Sequence, residues 1–238
     1  MYLRSILLFI LGGLTLLVRA QDDSGIVLMV APMEQSGNIP QSVDNQLQTR
    51  LMNAVTTAGM VTGKDFGRFF VSGRFSHSYT EIVPGPPVQT IVHTALTLYI
   101  GDAKNKEVYA SESFDLRGVG RSEERALLNA LGQIKASNQA FISFVNRGKD
   151  RIIAYFDENY SQYLDSAKYA LHQGDKDKAL YFATIIPTGS KGHAEAQKVV
   201  EKICKKYDTP MTTAKSAGRQ WNRQQQRPRP VIDFIQYK

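Results

Sequence analysis

The stretch EVYASESFDLRGVGRSEERALLNAL, from Glu107 to Leu131, decides the fold, because a strand, a glycine pair and a helix start follow one another in it. Val108, Ala110, Phe114 and Leu116 alternate with Tyr109, Ser111, Ser113, Asp115 and Arg117, the period of a strand with one face in a core. Glu112 interrupts the apolar face. Gly118-Val119-Gly120 reads as a turn through backbone conformations closed to bulkier residues. Ser122 then caps a helix whose first turn carries Glu123 and Glu124, which places negative charge at the positive end of the helix dipole. Ala126, Leu127, Ala130, Leu131 and Ile134 form its buried stripe.

Upstream, Ile26 to Ala31 is an unbroken apolar run ended by Pro32, as expected of a central strand covered on both faces. After a loop with Gly37 and Asn38, Pro40 opens a helix in which Val43, Leu47, Leu51, Ala54, Val55 and Ala58 recur at helical spacing until Gly59. Phe69, Val71, Phe75 and Tyr79 then alternate with Arg68, Ser72, Arg74, Ser76, Ser78 and Thr80, predicting a long strand with the arginines outward. Pro84-Gly85-Pro86-Pro87 turns the chain, because three prolines cannot donate to a ladder. Val88, Thr90, Val92, Thr94, Leu96, Leu98 and Ile100 make the inward face of a second long strand, and Gly101 to Asn105 return the chain to Glu107. The expected fold is α+β, in the order β-α-β-β-β-α with an antiparallel meander, followed by a C-terminal helical hairpin.

Beyond Ser137 the period is helical. Phe141, Phe144, Val145, Gly148, Ile152, Phe156, Tyr160, Tyr163, Leu164, Ala167 and Leu171 predict one long helix, with Gly148 as a place where it can bend. Gly174-Asp175 opens a shorter helix that ends at Pro187, and a third runs from about His193 to Tyr207. Cys204, the only cysteine, lies among Val199, Val200 and Ile203 and reads as a small buried residue, with a reactive thiol as the alternative.

The amino terminus has Arg4, an apolar run from Ile6 to Val18 and the small-residue site Val18-Arg19-Ala20, the pattern of a secretory signal cut before Gln21. Its apolar run is shorter than the roughly 20 residues a membrane-spanning helix needs. The expected organisation is a signal peptide at 1–20, an α+β domain at 21–137, a helical extension at 138–208 and a basic, largely disordered tail at 209–238. The net charge of +7 is concentrated at the carboxyl terminus, where eight basic residues from Lys205 onward face only Asp208 and Asp233. Val231 to Tyr237 is apolar enough to dock as a strand or peptide, against the alternative of disorder to the end.

The strand at Ile26–Ala31 with its helix, together with Gly118-x-Gly120-x-Ser122-x-x-x-Ala126-x-x-x-Ala130-Leu131, resembles the small α+β domain of bacterial envelope proteins. Its members include the amino-terminal domain of TolB, the curli-secretion proteins and the lipoprotein activators of penicillin-binding proteins. The resemblance spans about Gly25 to Ser137 and implies envelope assembly and protein–protein contact without catalysis. Ala167 to Leu180, with Gly174-Asp175 and Pro187, resembles a single tetratricopeptide repeat, which implies a peptide or protein partner in a groove.

Candidate chemistry is sparse. His77 and His93 fall on opposite faces of the predicted hairpin and so are not expected to share a metal ion. Gly118-Val119-Gly120 lacks the third glycine of a dinucleotide fingerprint, having Glu123 there, and no phosphate-loop lysine follows. Neither a nucleophilic triad nor paired carboxylates stand out, so no catalytic residue, cofactor or metal is expected. Arg219, Trp221, Arg223, Arg227 and Arg229 are the candidate anion-binding residues of the tail, against a reading in which they only solvate it. The expected function is that of a non-enzymatic, exported envelope protein acting as an interaction scaffold or accessory factor. The alternative is a module that binds anionic envelope glycan or lipid through the tail. Nucleic acid is not an expected partner of an exported chain.

Overall fold

The computed structural model describes residues 24–33, 39–63 and 67–225. The signal segment, the loop with Gly37 and Asn38, Arg227, Arg229 and the apolar segment 231–237 lie outside the described residues. The fold is α+β. Strands β1 (Val27–Val30), β2 (Val61–Gly63), β3 (Phe69–Val83), β4 (Gln89–Asp102) and β5 (Glu107–Gly120) form one sheet in the order β2-β1-β3-β4-β5. Parallel pairing joins β1 to β2 and β3, while β3, β4 and β5 make the expected antiparallel meander. The short strand β2, absent from the sequence reading, gives β1 a neighbour on its outer side.

Helices α1 (Gln41–Thr57), α2 (Glu123–Leu131) and α3 (Gln139–His172) pack on one face of this sheet. The buried side chains of α1 and α2 are those the periodicity selects: Val43, Leu47, Leu51, Ala54 and Val55 in the first, Ala126, Leu127, Ala130 and Leu131 in the second. On the other face of the meander polar residues meet water, as where Thr97 and Ser113 share a hydrogen bond of 2.8 Å. Glu112, the polar residue on the inner face of β5, is paired with Arg147 of α3.

The glycines of β5 have a different role from the one their sequence suggests. Gly118 and Gly120 are paired with Val92 and Thr90 in the ladder, and neither has a positive φ. A Cβ at Gly118 would lie 1.8 Å from the Ala126 carbonyl oxygen, and one at Gly120 would lie 2.5 Å from the Ala126 nitrogen. These residues are needed because α2 lies directly on the strand, and not because the chain turns there. Ser122 does cap α2, its hydroxyl accepting from the Arg125 amide at 3.3 Å.

Helix α3 is continuous over 34 residues. Its first half lies on β4 and β5, with Gly148 where a Cβ would come within 2.5 Å of Ile100, so this glycine marks a close approach to the sheet. Its second half packs against α4 (Lys176–Thr184) and α5 (His193–Tyr207). Gly174, with φ +81°, and the Asp175 side chain, which accepts from Lys178 N at 3.1 Å, form the turn into α4. One buried cluster runs from Ile26 through Phe144, Phe156 and Leu164 to Ala214, and Cys204 is a buried free thiol within it.

Residues 211–225 correct the expectation of disorder. They form α6 (Met211–Gln225), which packs on α4. Ala214, Ala217, Gly218 and Trp221 recur at three-and-four spacing and make its contact face: Ala214 is buried, and a Cβ at Gly218 would lie 2.8 Å from the Tyr181 backbone. Small residues make this stripe weak by any hydrophobic count, while they permit the close approach that holds the helix.

Candidate functional site

Arg68 immediately precedes β3 and Asp102 ends β4, and the antiparallel register brings their backbones together, with Ala103 N donating to Arg68 O at 2.8 Å. Contrary to the alternation, Arg68 is buried, at 5% exposure, and Asp102 is wholly so. Arg68 Nε and Nη2 donate to Asp102 Oδ2 at 2.9 and 2.6 Å, and Nη1 donates to the Tyr163 hydroxyl. Asp102 Oδ1 accepts from the amides of Lys104 and Asn105 at 2.8 and 3.2 Å. A register shift between Ile100 and Gly101 in β4 opposite Tyr109 turns that side chain toward the pair, and its hydroxyl donates to Asp102 Oδ2 at 3.3 Å.

Aromatic rings enclose the guanidinium. Its central carbon lies 4.4 Å from the Tyr155 ring centroid, 5.1 Å from Phe69 and 5.5 Å from Tyr163. Burial works against its charge, but the bonds to Asp102 and the surrounding tyrosines outweigh this and hold Arg68 charged above its ordinary range. Burial also raises Tyr109 and Tyr163, whereas Tyr155 is lowered: burial opposes its ionisation, and bonds with Tyr163, Arg68 and Asn105 overcome that. The group ties the sheet to the middle of α3.

Outside this hub lies a cleft of about 100 Å³ at the end of the sheet where β1 and β3 begin, walled by α4 and α6. Its floor includes Ile26, Gly67 and Arg68, and its wall is made by Tyr181 and Thr184 of α4 with Lys215, Arg219, Asn222 and Arg223 of α6. Lys215 reaches over Gly25, where a Cβ would lie 3.2 Å from its Nζ. Of the tail residues singled out by sequence, Arg219 and Arg223 therefore line one cleft. Trp221 is not among the lining residues and packs in tilted geometry against Tyr181 and Phe182, with ring centroids 5.2 and 6.2 Å away, so it anchors α6. Lys215 and Tyr181 were missed; the signal that finds Lys215 is its four-residue spacing from Arg219 on a helix, which is invisible while the segment is read as coil.

The far end of the β3–β4 hairpin differs from its base. A register shift between Ser76 and Tyr79 lets Tyr79 face His93, and Tyr79 is 64% exposed where alternation from Phe75 places it inward. Ile82 and Val88 are 68% and 55% exposed. These apolar side chains lie exposed on the distal part of the β3–β4 hairpin. Among the described residues no group of three His, Cys, Asp or Glu side chains could hold a metal ion, and no helix is long and apolar enough to cross a membrane.

No family model matches the chain, and no curated protein matches it. Solved structures align with part of the chain at low similarity. A hemagglutinin homolog from Helicobacter pylori is 13% identical over 54% of this chain and 86% of its own, with a TM-score of 0.31. The PelC dodecamer from Paraburkholderia phytofirmans is 15% identical over 48% of this chain and 87% of its own, with a TM-score of 0.32. A minor lipoprotein from Acinetobacter baumannii is 12% identical over 52% of this chain and 87% of its own, with a TM-score of 0.28. These likenesses define no family.

Proposed function

We propose that this protein is an exported, non-enzymatic component of the bacterial cell envelope that holds a protein partner and so serves in the assembly or regulation of an envelope complex. The secretory pattern of residues 1–20 supports the compartment. The observation that carries the partner is the distal part of the β3–β4 hairpin, where Tyr79, Ile82 and Val88 are exposed to solvent. Covering such side chains is worth about 1.5–3 kcal/mol each, enough for three to anchor a contact. Affinity capture from native envelope extract tests this, comparing the wild type with Tyr79→Ser/Ile82→Ser/Val88→Ser. A partner that copurifies with the wild type and is lost with the variant, whose circular dichroism is unchanged, is the expected result. Equal capture by both removes these exposed hairpin residues from the function.

A second reading, binding of an anionic envelope glycan or lipid, is favoured by one observation: α6 gathers Lys215, Arg219 and Arg223 along the same cleft. Neither reading needs a cofactor.

A further inference from the structure

The face of the sheet turned away from the helices carries a buried apolar patch. Leu28, Val30, Phe69 and Val71 point into the main core, so Met29, Ala31 and Phe70, which alternate with them, point the other way and form a cluster of their own. Met29 and Phe70 are partners in the β1–β3 ladder, and the Phe70 ring lies over Gly101 of β4, where a Cβ would come within 3.0 Å of it. Phe70 is 0% exposed, Ala31 2%, Met29 6% and the neighbouring Ser72 2%. A sheet face left to water does not bury a phenylalanine completely, and farther along this same face Ser111, Ser113 and Asp115 are exposed. Among the described residues no helix packs on the patch, because α1, α2 and α3 take the opposite face and α4, α5 and α6 pack on α3 and on one another.

We propose that this patch is the docking site of the chain's own carboxyl-terminal segment, residues 231–237. The reach is short. Asn222 and Arg223, near the end of α6, line the same cleft as Gly67, and a Cβ at Gly67 would lie 3.2 Å from the Met29 Cβ. The chain therefore leaves α6 beside the patch, and residues 226–230, two of them prolines, span about 17 Å when extended. The chemistry also fits, since segment 231–237 reads VIDFIQY and has five apolar or aromatic side chains to lay on Met29, Ala31 and Phe70. Arg74 follows Ser72 on the same face, and Asp233, the one charged residue of the segment, is opposite to it in sign. Two other segments outside the described residues adjoin the patch in sequence and suit it less: 34–38 reads EQSGN, without an apolar side chain, and 64–66 reads KDF, with one.

Met29 reports on the cover, because oxidation of a thioether by hydrogen peroxide follows its exposure. The full exported chain is treated with peroxide, and sulfoxide at each methionine is followed by peptide mass spectrometry. The wild type should oxidise quickly at Met211, which is 46% exposed, and slowly at Met29. Ile232→Asp/Phe234→Asp puts charge where the apolar contacts are needed and should speed oxidation of Met29 at least tenfold. Met33 and Met60, each 3% exposed in the main core, should stay protected in that variant. If they become reactive too, the double variant has unfolded, and Phe234→Ser carries the same expectation with a smaller change. Met29 as slow in these variants as in the wild type overturns the proposal, and if Phe66→Ser alone exposes Met29, the cover belongs to segment 64–66. Rapid oxidation of Met29 in the wild type also overturns it, and leaves the patch to a partner protein.

Discussion

Replacing Asp102 by Asn keeps the shape of the side chain and removes the charge that faces Arg68. The side chains of Arg68 and Asp102 are 3% and 0% exposed, so solvent cannot take over the role of the carboxylate. Asp102 accepts from two nitrogens of Arg68, from the amides of Lys104 and Asn105 and from the Tyr109 hydroxyl. The amide of the variant has one acceptor oxygen and brings a donor group toward a guanidinium that can only donate. Breaking a buried pair from one side costs about 3–5 kcal/mol, and the faces of Tyr155 and Phe69 over the guanidinium hold the loss toward the lower figure. With a urea dependence of about 2 kcal/mol per molar, Asp102→Asn should lower the unfolding midpoint by about 1.5 M or more. The double variant Arg68→Met/Asp102→Leu, which leaves no buried charge, should recover most of that stability. Equilibrium urea unfolding followed by far-ultraviolet circular dichroism measures both. A loss below about 1 kcal/mol in Asp102→Asn, the scale of a solvated surface pair, or a double variant no more stable than the single one, would refute the account of Arg68–Asp102 as a buried, mutually dependent pair.

Gly118→Ala should destabilise the fold by more than about 3 kcal/mol in the same assay, because the new Cβ falls 1.8 Å from the Ala126 carbonyl oxygen and α2 must move off β5. Trp221→Ala should cost about 2 kcal/mol and release α6 from α4, seen as rapid amide hydrogen exchange confined to residues 211–225 with the sheet still protected. Alkaline pH should also destabilise the protein. Tyr109, Tyr163 and Tyr181 have folded pKa values raised above the ordinary tyrosine value of about 10, so the stability they confer is complete below that pH and is lost as pH rises toward their folded values. Tyr155, lowered in the fold, works in the opposite direction and offsets part of the loss. Thermal midpoints recorded from pH 8 to 11 should therefore fall above pH 10, and a flat profile would contradict the burial of these phenols.

Sequence by itself determined the α+β class, the meander, the caps and the buried stripes of α1, α2 and the long α3. These depend on the alternation of Val71, Phe75 and Leu96, on the spacing of Phe141 through Leu171 and on Ser122 before Glu123, all of which are local patterns. Only the tertiary structure decided what depends on contact between distant segments. Arg68 has the sequence of a solvated strand residue and becomes a buried cation because Asp102, 34 positions away, and Tyr163, 95 positions away, converge on it. Gly118 and Gly120 look like a turn and are instead the flat ground on which α2 rests. Tyr79 follows the inward parity of Phe75, yet the register shift after Ser76 carries it to the surface, because one displaced pairing exchanges the faces of every residue beyond it. The basic cleft is the plainest case. Lys215, Arg219 and Arg223 are a scattered excess of charge along the chain, and they become one row facing one cavity only because Ala214, Gly218 and Trp221 dock the other side of the helix against α4.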